Sequence, residues 1–275
     1  MTPGRRPRRG MAIAVVIVLV LLAAAVALAA MFGPGGGHSA SRPADLTSAK
    51  ANGEELLASR DKTVLVVLAH PDDAEWWSGG TLTQLARSGN RVVLVLGTSG
   101  DKAAGGWKGV AQLREQLQLQ AAKLIGYSDV VFLRHPDQGL GAAKAFPDEV
   151  RTLYRERRPD IVVTFDVADE GSVYHHPDHE AAGRVAWAQA EGLPSMTFYL
   201  QHTSAPDTVV ECIGVRDVKQ AALSILIDYQ PPGSPQRWIV ERARSWGWMR
   251  AAFGQGVSYP EAGIVSGEVF RKARR

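Results

Sequence analysis

The sequence predicts an α/β domain of Rossmann-like architecture, a mostly parallel sheet with helices on both faces, preceded by one N-terminal transmembrane helix. Two observations predict it. Short β-branched apolar runs alternate with amphipathic stretches between residues 62 and 191, and apolar strands separated by helices are what a parallel sheet buried on both faces requires. Ahead of them, residues 11–32 are uncharged and built almost wholly from Ala, Val, Leu and Ile. As a helix this run is long enough to cross the roughly 30 Å of hydrocarbon in a bilayer.

Taken in order, residues 1–10 are a basic tail holding Arg5, Arg6, Arg8 and Arg9. The positive-inside rule places that tail in the cytoplasm and the chain after residue 32 outside it, as a single-pass membrane protein. Secretion after signal cleavage is the alternative, because Ala27-Leu28-Ala29 resembles a cleavage site. Against it, the apolar run exceeds the roughly 7–15 residues of a signal-peptide core. Residues 33–61 open on Gly33-Pro34-Gly35-Gly36-Gly37 and read as a flexible linker. The remaining 62–275 form the globular domain. Strands are expected there at 64–69, 91–97, 130–133 and 161–165, with helices at 80–88, 110–125, 147–157 and 178–191. After Pro194 come expected strands at 196–201 and 209–215 and helices at 218–227 and 237–252. The three tryptophans Trp238, Trp246 and Trp248 have roughly helical spacing and read as a buried face.

Composition narrows the function classes. The chain has 275 residues, 45% of them hydrophobic, which supports a sizeable core. Residues 1–32 contain the four arginines and no acid, leaving 27 Lys+Arg against 28 Asp+Glu in the rest. A domain of that balance lacks the charge footprint of a nucleic-acid binder. No Gly-x-Gly-x-x-Gly or Gly-x-x-x-x-Gly-Lys run occurs, so no nucleotide cofactor is expected. Cys212 is the only cysteine, which excludes an internal disulfide and a thiolate metal cluster.

The chemistry sits in three segments, each following an expected strand: His70-Pro71-Asp72-Asp73, His135-Pro136-Asp137 and His176-Pro177-Asp178-His179. In an open parallel sheet, ligands bind outside the carboxyl ends of the strands. One His-Pro-Asp is an ordinary helix-capping turn; three at strand ends point to a shared site. His70 and Asp73 are three apart where a strand enters a helix, and His176 and His179 repeat that spacing, so each pair faces one point. Two histidines and a carboxylate suit zinc, with iron as an alternative, and leave a position for water. Asp72, beside Asp73, is then placed to act as general base. His176 remains for the oxyanion or the leaving amine, with Asp178 expected to raise its pKa and keep it charged. His135 reads as a structural, hydrogen-bonded residue. The loop from Gly100 to Gly109, with Trp107 inside, reads equally as a mobile flap or a plain turn.

These residues resemble the PIG-L/LmbE-type zinc-dependent N-acetylglucosamine deacetylases. The opening motif of that family is similar to Ala69-His70-Pro71-Asp72-Asp73-Ala74-Glu75 followed by Gly79-Gly80-Thr81-Leu82, and its closing motif to His176-Pro177-Asp178-His179. The resemblance implies His70, Asp73 and His179 as zinc ligands, Asp72 as base, and His176 with Asp178 as the acid and its orienting partner. It also implies Arg114 and Asp137 as substrate contacts, and covers about residues 62–191. Leu117 stands where the family commonly has Glu, and a histidine often found before the late glutamine is missing upstream of Gln230; both departures touch substrate identity.

The expected activity is therefore zinc-dependent hydrolysis of an N-acetyl amide on a glucosamine-containing glycan, glycolipid or cell-envelope precursor. A metal-dependent phosphoesterase and a non-catalytic sugar-binding module are the competing readings.

Overall fold

The structure is a computed structural model that describes residues 42–167, 176–245 and 256–275. In chain order its elements are α1 (Leu46–Leu57), β1 (Thr63–Leu68), α2 (Asp73–Arg87), β2 (Arg91–Thr98), α3 (Val110–Ile125), β3 (Asp129–His135), α4 (Phe146–Arg157), β4 (Ile161–Phe165), α5 (Pro177–Gln189), β5 (Thr197–Gln201), β6 (Thr208–Glu211), α6 (Arg216–Leu226), α7 (Pro235–Ser245), β7 (Val257–Tyr259) and β8 (Ile264–Arg274). Eight strands form one sheet in the order β3-β2-β1-β4-β5-β8-β6, with β7 paired to β8.

The expected parallel core is present. β1 pairs in parallel with β2 and β4, β2 with β3, and β4 with β5. Val64 through Leu68 are all at 0% exposure. Because consecutive strand residues point to opposite faces, burial of every one requires cover on both sides. α2, α3 and α6 pack against one another, as do α4 and α5, and both α2 and α5 touch β1. The chain order reverses at β1, with β2 and β3 on one side and β4 and β5 on the other. That reversal opens the ligand crevice at the carboxyl ends of β1 and β4.

The C-terminal part departs from the sequence reading. β8 runs antiparallel between β5 and β6, so the sheet is mixed; a strand carrying Glu268, Arg271, Lys272 and Arg274 does not read as interior. Its burial depends on partners distant in sequence. Lys219 Nζ lies 2.6 Å from Glu268 Oε1, and the same carboxylate accepts the N–H groups of Gly80 and Thr81 at 2.9 and 2.8 Å. Gly80 faces the Cys212 side chain too closely to carry a Cβ, which explains the glycine at that position of α2. That helix begins at Asp73 rather than at residue 80.

The linker expected at 33–61 is cut short by α1. Asp45 caps it through Thr47 N and Ser48 N at 3.0 and 3.1 Å, and Ala49, Gly53 and Leu56 are buried where the helix rests on β6. Small residues hid this apolar stripe, since Ala and Gly carry little hydropathic signal. The helix expected at 237–252 is described as Pro235–Ser245, and Trp238 on it is 56% exposed, contrary to the buried face expected of that tryptophan. Trp246 and Trp248 lie outside the described residues, as does the apolar run at 11–32. Among the described residues no helix is long and apolar enough to cross a membrane.

Candidate active site

β1 delivers the chain through Ala69 to a tight turn. Asp72 sits there with φ 93° and ψ −24°, a left-handed conformation costly for a side-chain-bearing residue and characteristic of functional turns. Neighbours hold it in place. Its N–H donates to Gln118 Oε1 at 2.9 Å, and its carboxylate lies 3.1 Å from Arg114 Nη2. Arg114 also donates to the Pro71 carbonyl, and its guanidinium lies 4.8 Å over the Tyr229 ring. Gly100, at φ +65°, leaves room for that guanidinium where a Cβ would collide with it. Burial pushes the Asp72 carboxyl up to about 6; Arg114 pulls it down and Asp73 pushes it further up.

Asp73, the first residue of α2, bridges the two motifs. Its Oδ2 accepts the His70 N–H at 2.7 Å and lies 3.5 Å from His70 Nδ1, while Oδ1 is 3.1 Å from His179 Nε2. Burial opposes its charge, yet His179 and His70 hold its carboxyl far below the ordinary range. Across the crevice, His176 caps α5 by accepting Asp178 N–H on Nδ1 at 3.2 Å. One turn on, His179 stacks on Phe165 with centroids 4.0 Å apart. The ring centroids of His70 lie 4.6 Å from His176 and 5.3 Å from His179, and those of His176 and His179 are 4.9 Å apart. One ring nitrogen from each of the three falls within 4.8 Å of the others.

This donor set fits a zinc or iron ion. Imidazole nitrogens converge beside a carboxylate held ionised, and no thiolate takes part. The lone cysteine is buried against α2. His70, Asp73 and His179 would hold the ion, with His176 and Asp72 beside them.

The remaining expected site residues are in the same cluster but make different contacts. Asp178 does not bond to the His176 ring through its carboxylate. That group instead lies 3.2 Å from His70 Nε2 and accepts the N–H groups of Gln138 and Leu140 at 2.6 and 3.0 Å. The His176 pKa is lowered rather than raised: burial lowers it, the His70 and His179 rings lower it further, and Asp178 offsets them only in part. Asp137, expected to touch substrate, is buried with Oδ1 3.2 Å from His70 Nε2. Arg114, expected to touch substrate, is buried and braces the turn that carries Asp72.

Sequence reasoning missed the support behind that turn. Gln118 Nε2 donates to Glu75 Oε1 at 2.9 Å, and Tyr127 Oη donates to the same atom at 3.0 Å. Burial pushes Glu75 up to about 7. A signal was available, since Gln118 follows Arg114 by four positions and so shares its helix face. Leu117, where the family pattern has Glu, turns into the core instead. His135 bonds to Glu149 Oε2 at 2.6 Å, as a structural histidine should. In the Trp107 loop the indole N–H donates to the Tyr229 carbonyl at 3.1 Å.

The chain is similar to known proteins over the stretch that carries this site. Residues 65–190 match the family described as PIG-L: GlcNAc-PI de-N-acetylase. A 1D-myo-inositol 2-acetamido-2-deoxy-alpha-D-glucopyranoside deacetylase from Saccharopolyspora erythraea is 34% identical over 169 residues, or 48% of this chain and 55% of that protein. The chain thus spans little more than half the length of that relative. Among solved structures, N,N'-diacetylchitobiose deacetylase from Pyrococcus horikoshii superposes with a TM-score of 0.58 at 21% identity, over 86% of this chain and 95% of the other. The 4-carboxy-2-hydroxymuconate hydratase of Pseudomonas putida gives 0.54 at 21% identity, over 77% and 95%; these likenesses establish a shared fold, which by itself does not choose a reaction. Residues 65–190, the stretch that carries the two end motifs and the histidine–carboxylate cluster, are thus similar to the PIG-L family.

Proposed function

We propose that this chain is a zinc-dependent hydrolase that removes the N-acetyl group from a glucosamine-containing glycan, glycolipid or cell-envelope precursor. The observation that carries this reading is the Asp72 turn. A carboxylate with its pKa lifted to about 6 sits next in sequence to Asp73, which touches both His70 and His179. The names of the related deacetylases support the amino-sugar substrate class.

A bound zinc ion supplies Lewis acidity and brings the pKa of water near 7. Asp72 takes the proton from the attacking water, its carboxylate steadied by Arg114. Because His176 accepts the Asp178 N–H on Nδ1, the neutral ring carries its hydrogen on Nε2. That N–H serves as donor to the oxyanion formed as the amide carbon becomes tetrahedral. Asp72 then passes its proton to the departing amine. The same carboxylate acts first as base and then as acid, so His176 need not be charged.

Nitrogen donors disfavour the magnesium chemistry of a phosphoesterase, which calls for oxygen ligands. A binding module would have no use for a strained, buried base. The test is acetate release from a panel of N-acetylglucosamine derivatives, with the free amine as coproduct. Release from at least one is expected; a zinc-loaded protein that frees no acetate from any of them would defeat the proposal.

The membrane setting is a further part of this reading. Residues 11–32 are an apolar run preceded by four arginines, which supports a tether with the hydrolase outside the cytoplasm. In intact cells, external protease should digest the domain while a cytoplasmic marker survives. Protection of both until lysis would contradict the topology, and recovery of the domain in the medium would indicate cleavage.

A further inference from the structure

We propose that Asp137 and Asp178 are the positioning carboxylates of His70, fixing which of its ring nitrogens is offered to the metal. This rests on the metal site proposed above. His70 Nε2 is 3.2 Å from Asp137 Oδ1 and 3.2 Å from Asp178 Oδ2, while Nδ1 faces Asp73 Oδ2 at 3.5 Å. Ionised carboxylates only accept hydrogen bonds, and a neutral imidazole carries one N–H and one lone pair. With two acceptors on the Nε2 side and one on the Nδ1 side, the hydrogen would stay on Nε2 once a metal took the Nδ1 lone pair beside Asp73, which also touches His179. Metal-binding histidines use this arrangement, in which a carboxylate behind the ring fixes the tautomer and raises ligand basicity.

Both carboxylates are tied to the loop after β3, Asp137 as part of it and Asp178 from the start of α5. Asp178 accepts Gln138 N–H on Oδ2 and Leu140 N–H on Oδ1. Asp137 accepts Lys102 N–H on Oδ2 at 3.2 Å, and its own N–H donates to Asp101 Oδ1 at 2.8 Å. Both residues are buried, at 5% for Asp137 and 1% for Asp178. A carboxylate so enclosed is available to its ring partner rather than to a sugar hydroxyl. The 137–140 loop and the α5 start thus meet on one imidazole, and the path of that loop sets how strongly the site holds metal.

The experiment is zinc affinity by chelator competition on the full chain, for the wild type, Asp137→Asn and Asp178→Asn. KM and kcat are then measured at saturating zinc. Each variant should bind zinc roughly 10–100-fold more weakly, with KM unchanged once the metal is restored. Asp137→Asn keeps the backbone contacts of Asp178, so it remains informative should Asp178→Asn fold poorly. Wild-type affinity in both variants overturns the proposal, and a raised KM with wild-type affinity in Asp137→Asn would make that residue a substrate contact instead. Complete loss of zinc binding in both would make them ligands, which also overturns it. A wild-type chain that binds no zinc overturns the metal site itself, an outcome distinct from all of these.

Discussion

Asp72→Asn is expected to lower kcat by about 10²–10⁴-fold, the usual contribution of a positioned general base, while zinc remains bound. The amide matches the carboxylate in size and leaves the Asp72 N–H bond to Gln118 available, so the turn should persist. What disappears is the capacity to accept a proton from water. The pH profile carries a sign. Asp72 works in its ionised form, and burial raises its pKa to about 6, so activity should rise with pH through an acid limb and then level off. A bound cation nearby favours the ionised form and moves that limb below this value. Full activity of Asp72→Asn, or an acid limb unchanged in that variant, would remove Asp72 from the chemistry.

Lys219→Met should cost roughly 3–5 kcal/mol of stability, the range for stripping one partner from a buried ion pair. The Lys219 and Glu268 side chains are 4% and 3% exposed and 2.6 Å apart. Removing the ammonium leaves the Glu268 carboxylate buried without a cation, and the Gly80 and Thr81 N–H groups compensate only in part. For a domain of this size the loss corresponds to a fall in Tm of roughly 6–20 °C. Replacing both residues with Met should recover part of it, since an apolar pair of similar volume often matches a buried ion pair. An unchanged Tm in Lys219→Met would show that β8 is not held by this contact.

The parallel half of the fold was legible because its signal is local. The apolar run of β1 is visible in any short window, as is that of β2, and burial on both faces leaves no alternation to be misread. The cluster of His70, Asp73, His176 and His179 was legible for a related reason: each pair shares a turn, and topology brings strand ends together. β8 was not, because Glu268 becomes an interior residue only through Lys219 and α2. α1 was hidden by Ala49 and Gly53, which pack by being small. The partners of Asp137 and Asp178 were hidden too. Their carboxylates turn toward His70 because the loop from 137 to 140 presents backbone N–H groups to Asp178. Sequence spacing near His176 says nothing of that path.

Direct metal stoichiometry is the decisive measurement, made on the purified chain and on variants in which His70, Asp73 or His179 is replaced singly by Ala. One zinc or iron ion per wild-type chain, lost from each variant while the fold remains, is the predicted result. Retention of the ion by all three variants would contradict a centre shared between the turn after β1 and the start of α5.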